Sequence, residues 1–340
     1  MMKKRFLGVI GLAISTALIF TACGSKNETT VNSKGNEEIR LILDWTPNTN
    51  HTGFYVAKEM GFYKELGLDV EIKQPSEGSS LQLISAGKGD YAITYQEDLT
   101  FARTSDASLP VKAIGAIIQN NTSGFASPKE KGIKTVKDFE NKIYGGFCGP
   151  AEASIIKLAM EKNGADFSKL KMVDVGAEDF FAATKKNLDF EWVFEGWTNA
   201  QAKLNNFPIN YIPLKDIDPA FNYYTPIIAA TEDTIENKKE VTKKFMEATA
   251  KGYYYAMANP EESAKILVKY APEISEDLAI ESQKFLANEY KADAKYWGFM
   301  KDSVWDNYTK FLLDNKLLEK DMKASEAYTN EFLPKEDNFK

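Results

Sequence analysis

The side chains able to do chemistry in this chain gather where apolar runs stop. Residues 43–57 read LDWTPNTNHTGFYVA. An apolar run through Ile39, Leu41, Ile42 and Leu43 ends abruptly in Asp44, Trp45 and Pro47. The polar turn Asn48-Thr49-Asn50 follows and leads to His51, the one histidine of the protein, before a helical pattern resumes through Phe54, Tyr55, Ala57 and Met60. A carboxylate, an indole, two amides and an imidazole therefore lie where a strand hands over to a helix. In open parallel sheets, small ligands bind at the carboxyl ends of strands. An indole face stacks on a planar heterocycle, contributing about 0.5–1.5 kcal/mol beyond area burial, while amides and a carboxylate read its edge. Taken singly, Trp45 reads as a core residue and His51 as an internally bonded one. Together, Asp44, Trp45, Asn48, Asn50 and His51 read as one wall of a ligand site.

Three other strand ends carry related chemistry. Tyr95-Gln96-Glu97-Asp98 follows the apolar YAIT. Asp98 reads as the cap of a helix from Leu99, which leaves Tyr95 and Glu97 as candidate ligand contacts. In GGFCGPAEAS, 145–154, a strand opens through a turn that includes Gly146 into a helix near Pro150. Unbonded N–H groups at such a start attract polar ligand atoms. No Gly-Lys-Ser/Thr follows, so it is not a phosphate-binding loop. The strand in WVFEGWTNA, 192–200, ends in Glu195, Gly196 and Trp197; Trp192 reads as core, Glu195 and Trp197 as site residues. Tyr223 and Tyr224 either close an aromatic sandwich or belong to the core.

The inventory excludes several function classes. A single histidine cannot build a metal site of several imidazoles, and no Ser-His-acid arrangement stands out. Of two cysteines, Cys23 and Cys148, the second is alone in the mature domain, which excludes a disulfide framework and a cysteine metal site. The net charge is −7 with bases interleaved among acids, which is no nucleic-acid footprint. The expectation is binding without turnover, with no metal and no cofactor.

Positioning these groups requires an alternating scaffold. Strands are expected at Ile39–Leu43, Leu68–Ile72, Tyr91–Thr94, Val111–Ile118, Lys142–Gly146, Met172–Val175 and Phe190–Phe194. Helices are expected at Phe54–Leu66, Ser79–Ala86, Leu99–Ser105, Val136–Phe139, Glu152–Asn163 and Phe180–Lys186. Such alternation predicts an α/β protein with mostly parallel sheets and crossover helices. From Glu232 the pattern is helical throughout, at Asn237–Met257, Pro260–Tyr270, Ser275–Tyr290 and Asp302–Asn315. About 300 residues exceed one comfortable core and suggest two lobes. The division expected is 38–125 with 225–340 as lobe 1 and 126–224 as lobe 2. Thr122–Ser127 and Tyr223–Ala230 would be the crossings between them, with the binding cleft and hinges there.

The N-terminus reads as an address. Lys3, Lys4 and Arg5 precede an apolar stretch of moderate length that ends in small residues before Cys23, the pattern of a secretory signal rather than a spanning helix. Phe20-Thr21-Ala22-Cys23 resembles a bacterial lipobox, which implies a signal peptide at 1–23, lipidation of Cys23 and anchoring on the extracytoplasmic face of the membrane. Residues 24–37 read as a flexible tether.

At LDWTPNTNHTGFYVAKEMGFYKELGLDV the sequence resembles solute-binding proteins akin to fungal thiamine-pyrimidine synthases, and within them lipoproteins that bind formylaminopyrimidine for an ABC transporter. QEDLTFARTSDASLPVKAIGAIIQNNTSGFASP, VFEGWTNAQA and YYTPIIAATED extend the likeness over about residues 38 to 330. The resemblance implies a two-lobed, type II periplasmic-binding-protein fold with a helical C-terminal tail. It also implies an aminopyrimidine ligand salvaged toward thiamine and a permease partner. The family's synthase branch consumes the histidine matching His51, using pyridoxal phosphate and a cysteine-rich stretch; this chain lacks the cysteine cluster. The expected clamp places Trp45 against one of Trp197, Tyr223 or Tyr224. Glu97 and Glu195 would accept from amino groups and Asn48 or Asn50 would read ring nitrogens. Rival ligands in the same fold are a flavin precursor, a sulfonate or nitrate.

Overall fold

The computed structural model describes residues 35–75 and 78–335. The signal peptide, Cys23 and most of the expected tether lie outside the described residues. Two five-stranded sheets form the frame. The first contains β1 (Glu37–Ile42), β2 (Leu68–Lys73), β3 (Tyr91–Thr94), β4 (Val111–Ala116) and β10 (Ile227–Thr231), in the order β2-β1-β3-β10-β4. The second contains β5 (Ser123–Pro128), β6 (Ile143–Gly146), β7 (Lys171–Asp174), β8 (Phe190–Phe194) and β9 (Ile209–Pro213), in the order β7-β6-β8-β5-β9.

The two orders are the same pattern repeated. In each sheet four strands run one way, and the fourth in order, β10 or β5, runs antiparallel to both neighbours. That odd strand is the one reached directly after the chain crosses from the other sheet. The expected short segments Thr122–Ser127 and Tyr223–Ala230 thus contain strands, and each sheet is mixed. Strand β9 was not anticipated from sequence. It lies at a sheet edge and is half-buried along its whole length, so it lacks the contrast between faces that marks a strand.

Alternation assigns the core. Ile39, Leu41 and Leu43 face one side of the first sheet with Tyr91, Ile93, Ile114 and Ile228. Helices Thr52–Glu59 and Lys239–Ala258 cover that side. Ile42, Ala92, Ala113 and Ile227 face the other side, under helices Ser80–Ser85 and Gln96–Thr104. Period-two strands covered on both faces bury successive residues in opposite layers. The second sheet has its own core of Phe125, Phe139, Tyr144, Ile155 and Phe190.

The expected helix Phe54–Leu66 is two pieces, Thr52–Glu59 and Phe62–Glu65, broken at Gly61, whose φ of +82° ends the first helix. The tail holds a further departure. Helix Asp302–Asp314 puts Trp305 into the first sheet's core, yet Tyr308, Phe311 and Leu312 into the second's. It bridges both halves. Among the described residues, no helix is long and apolar enough to cross a membrane.

Helix Thr52–Glu59 approaches helix Lys239–Ala258 through glycines. A Cβ on Gly252 would stand 2.0 Å from the Gly53 carbonyl oxygen and 2.9 Å from the Ala57 Cβ. Gly252→Ala must push the helices apart, so it is expected to cost about 3 kcal/mol, the upper end for overpacking. A denaturant midpoint matching wild type to within about 0.5 kcal/mol would remove this close approach from the account.

Candidate functional site

The loop after β1 is rigid because its polar groups satisfy one another. The Asn48 side-chain oxygen accepts from the Asn50 N–H at 2.9 Å, and its amide donates to the Thr46 carbonyl at 3.1 Å. The Asn48 N–H donates to Nδ1 of His51 at 3.2 Å. With Nδ1 accepting, the ring proton sits on Nε2, which is 2.7 Å from Asp44 Oδ1. His51 is fully buried and the Asp44 side chain is 6% exposed. Burial alone would raise the Asp44 pKa. The His51 ring, the Tyr95 hydroxyl and a backbone hydrogen bond outweigh it and hold the carboxyl below its ordinary value.

The tail nails this loop from beneath. Tyr253 OH donates to the Asn50 carbonyl at 2.6 Å and Tyr290 OH to the Thr49 carbonyl at 2.5 Å. Ser282 and Thr49 hydroxyls pair at 2.6 Å. One expectation changes in consequence: His51 has both ring nitrogens bonded within the loop and positions it, whereas Asn48 keeps one side-chain N–H beyond its bond to Thr46. Trp45 is left 56% exposed.

On the neighbouring strand end, Tyr95 directly follows β3 and directly precedes helix Gln96–Thr104, occupying the cap position without a side-chain cap bond. Asp98 therefore lies in the first helical turn, not at the cap as expected; its contact with the Thr94 hydroxyl is 3.4 Å. Tyr95 is half-buried, and burial together with the Asp44 charge raises its pKa. Glu97 Oε2 accepts from Tyr308 OH at 2.5 Å. Burial raises the Glu97 pKa, Tyr308 partly offsets that, and the charges of Asp98 and Glu152 add to it.

Glu152 belongs to the other half, at the start of helix Pro150–Lys162, where its carboxylate accepts from Tyr144 OH and from the Gly149 N–H. Glu97 and Glu152, which follow strand ends of different sheets, are near enough for the Glu152 charge to reinforce the rise in the Glu97 pKa. Gly146 lies under the Tyr144–Glu152 bond. A Cβ there would be 2.1 Å from Glu152 Oε1 and 2.5 Å from Tyr144 OH, so its lack of a side chain seats that carboxylate. Glu195 is half-buried; burial raises its pKa, Lys215 opposes this, and Glu289 and Asp216 reinforce it.

Two aromatic expectations are corrected. Tyr224 is 1% exposed, with its OH accepting from the Lys301 N–H at 2.9 Å and its N–H donating to Gln96; it is core. Tyr223 is buried as well, its ring 4.4 Å from that of Tyr308. Trp197 packs on a small cluster of Tyr55, Ala264, Leu267 and Ile274, an anchor between the end of β8 and the tail helices. Two other aromatics were missed. Phe147, just after β6, is 65% exposed, and Phe194, the last residue of β8, is 46% exposed. Apolar residues next to the singled-out Gly146 and Glu195, at strand ends, were the available signal.

Comparison with known proteins now bears on this arrangement. A family model described as NMT1/THI5 like matches residues 48–263. The chain is 25% identical to a formylaminopyrimidine-binding protein of Halalkalibacterium halodurans, over 94% of this chain and 97% of that protein. It is 24% identical to the riboflavin-binding protein RibY of Chloroflexus aurantiacus, over 98% and 99% of the two chains. Among solved structures, the alkanesulfonate-binding protein SsuA of Xanthomonas axonopodis pv. citri, bound to MOPS, aligns with a TM-score of 0.63 at 12% identity, covering 86% of this chain and 98% of that one. The fold is that of two-lobed periplasmic binding proteins.

The two carboxyls of the first lobe should respond oppositely to pH. Asp44 has a lowered folded pKa, so its stabilisation is present above the ordinary value of 3.8 and is lost as pH falls through the folded value. Glu97 has a raised one, so its contribution is present below 4.5 and lost as pH rises through the folded value. In ligand-free protein, Asp44→Asn is expected to lose about 1.5–3 kcal/mol at neutral pH and less in acid. Glu97→Gln should match wild type in acid and exceed it at pH above the folded value. Thermal midpoints across the acid-to-neutral range check both; differences that do not vary with pH would refute the assignment.

Proposed function

Because the chain belongs to the NMT1/THI5-like family, we propose that it is a solute-binding lipoprotein that captures a thiamine-precursor aminopyrimidine outside the cytoplasm and delivers it to an ABC importer. In this reading Cys23 carries the lipid that holds it on the extracytoplasmic face of the membrane.

One observation carries the ligand assignment. Trp45, Phe147 and Phe194 are 56%, 65% and 46% exposed, and all three stand at carboxyl ends of strands, on both lobes. Burying such a side chain is worth about 1.5–3 kcal/mol, so leaving three of them out at one gap favours a flat partner there. The polar groups beside them are acids: Asp44, Glu97, Asp98, Glu152 and Glu195. Carboxylates accept hydrogen bonds from amino groups and repel sulfonate or nitrate, so the donor set supports an amino-bearing heterocycle over a small anion. The bases acting on this set are His51, on Asp44, and Lys215, on Glu195.

Binding rather than turnover is supported by His51. Its ring is enclosed and both nitrogens are bonded, which suits a positioning residue and not a group to be consumed. A ligand touching both lobes would favour the closed arrangement by its greater affinity for it, and a permease would recognise that state. The relative named for riboflavin makes a flavin the second reading, since exposed rings also suit a larger plate.

Native mass spectrometry of the purified protein, followed by calorimetry with hydroxymethylpyrimidine, formylaminopyrimidine, riboflavin and an alkanesulfonate, tests the proposal. A pyrimidine bound in preference to the others is expected. A yellow, fluorescent co-purified ligand would replace the pyrimidine by a flavin. Glu195→Gln should weaken pyrimidine binding ten-fold or more, since hydrogen bonds to charged groups contribute about 1.5–3 kcal/mol; unchanged affinity would take Glu195 out of the site.

A further inference from the structure

The first crossing holds a polar group that the fold does not use. Gln119 follows β4 and is 7% exposed, yet its side-chain Nε2 has no hydrogen-bond partner. Its neighbours behave differently. Asn222 Nδ2 donates to Asn120 Oδ1 at 2.9 Å, the Asn121 N–H donates to Asn222 Oδ1 at 2.9 Å, and Asn121 Nδ2 donates to the Phe221 carbonyl at 2.8 Å. These bonds lace the two crossings together. A buried donor left unbonded is costly and uncommon, and calls for an explanation in each case.

Its surroundings point to one. The Gln119 N–H donates to the Glu289 carbonyl at 3.1 Å, and three residues on, the Thr122 carbonyl accepts from the Glu195 N–H at 2.9 Å. The Glu289 carboxylate in turn is among the charges acting on Glu195. An unpaired amide donor and a half-buried carboxylate thus lie on neighbouring segments where the first crossing meets the end of β8.

We propose that Gln119 is a specificity-determining ligand contact: its Nε2 donates to a ring nitrogen of the bound heterocycle while Glu195 accepts from the adjacent exocyclic amino group. This rests on the aminopyrimidine reading above and narrows it to ligands with an amino group beside an unprotonated ring nitrogen. Carboxamides read an analogous pairing of a ring-nitrogen acceptor with an exocyclic amino group, N7 and N6, on adenine in the DNA major groove. An analogue with an oxo group in place of the amino group sets a carbonyl against the Glu195 carboxylate and an N–H against the Gln119 donor, so it is rejected twice.

Calorimetry with 4-amino-5-hydroxymethyl-2-methylpyrimidine and its 4-oxo analogue, on wild type, Gln119→Met and Gln119→Asn, tests this. Methionine keeps the volume and removes the donor; asparagine keeps the amide and withdraws it by one methylene. Both variants should bind the amino compound at least ten-fold more weakly, with the preference for amino over oxo shrinking toward unity. The ligand-free unfolding midpoint of Gln119→Met should stay level or rise, because an unpaired donor has been removed. Affinity within two-fold of wild type in either variant, or a fall in the Gln119→Met midpoint with an unchanged amino-to-oxo preference, would overturn the assignment to Gln119. Failure of wild type to bind the amino compound at all would instead overturn the aminopyrimidine reading on which it rests.

Discussion

A carboxylate buried against an imidazole sets the geometry on which the rest of this molecule depends. Asp44 is almost fully enclosed and stays charged because His51 Nε2, 2.7 Å away, and the Tyr95 hydroxyl donate to it. An isolated charge at that depth would be prohibitive; a bonded one is tolerated. The same arrangement requires the loop between Asp44 and His51 to double back tightly, which Asn48 accomplishes by bonding Asn50, Thr46 and His51. With the acid turned inward, the next residue, Trp45, is turned outward. An exposed indole beside a buried acid is therefore a single structural consequence.

That loop is held from a great distance along the chain. Tyr253 and Tyr290 donate to the carbonyls of Asn50 and Thr49 from helices 203 and 241 residues away. Trp297 lies under them, stacked on Tyr253 at 4.4 Å, with its indole N–H donating to the Ile117 carbonyl at 3.2 Å. The tail thus ties the ligand loop to the end of β4, where the first crossing departs. The repeated strand order gives each half its own frame. Links that join the frames include the asparagine lacing of the crossings, helix Asp302–Asp314, Trp197 seated among the tail helices and the Lys203–Glu281 ion pair. Helix Asp302–Asp314 reaches the site itself, since its Tyr308 OH donates to the Glu97 carboxylate.

Acids of one type behave oppositely across the site for reasons of partners. Asp44 receives hydrogen bonds to its charged form, which lower its pKa; Glu97 has one phenol and feels the charges of Asp98 and Glu152, so burial and repulsion raise its pKa. Partners and burial, not residue type, thus decide which way each carboxyl is shifted.

Sequence by itself determined the alternating strands and helices, the two crossings, the helical tail and the acids at strand ends. Those follow from periodicity and from residue types that tolerate few local environments. Which side chains would be free at the gap was decided by tertiary structure. Tyr224 and Trp197 are aromatic like Trp45, but the Lys301 segment buries the first and the tail helices partly cover the second, while Phe147 and Phe194 stay exposed. Glu97 is braced by a tyrosine 211 residues away and Asp44 by one 51 residues away. No local pattern records such partners, because burial and hydrogen bonding are properties of what the folded chain brings against a residue, not of the residue and its neighbours in sequence.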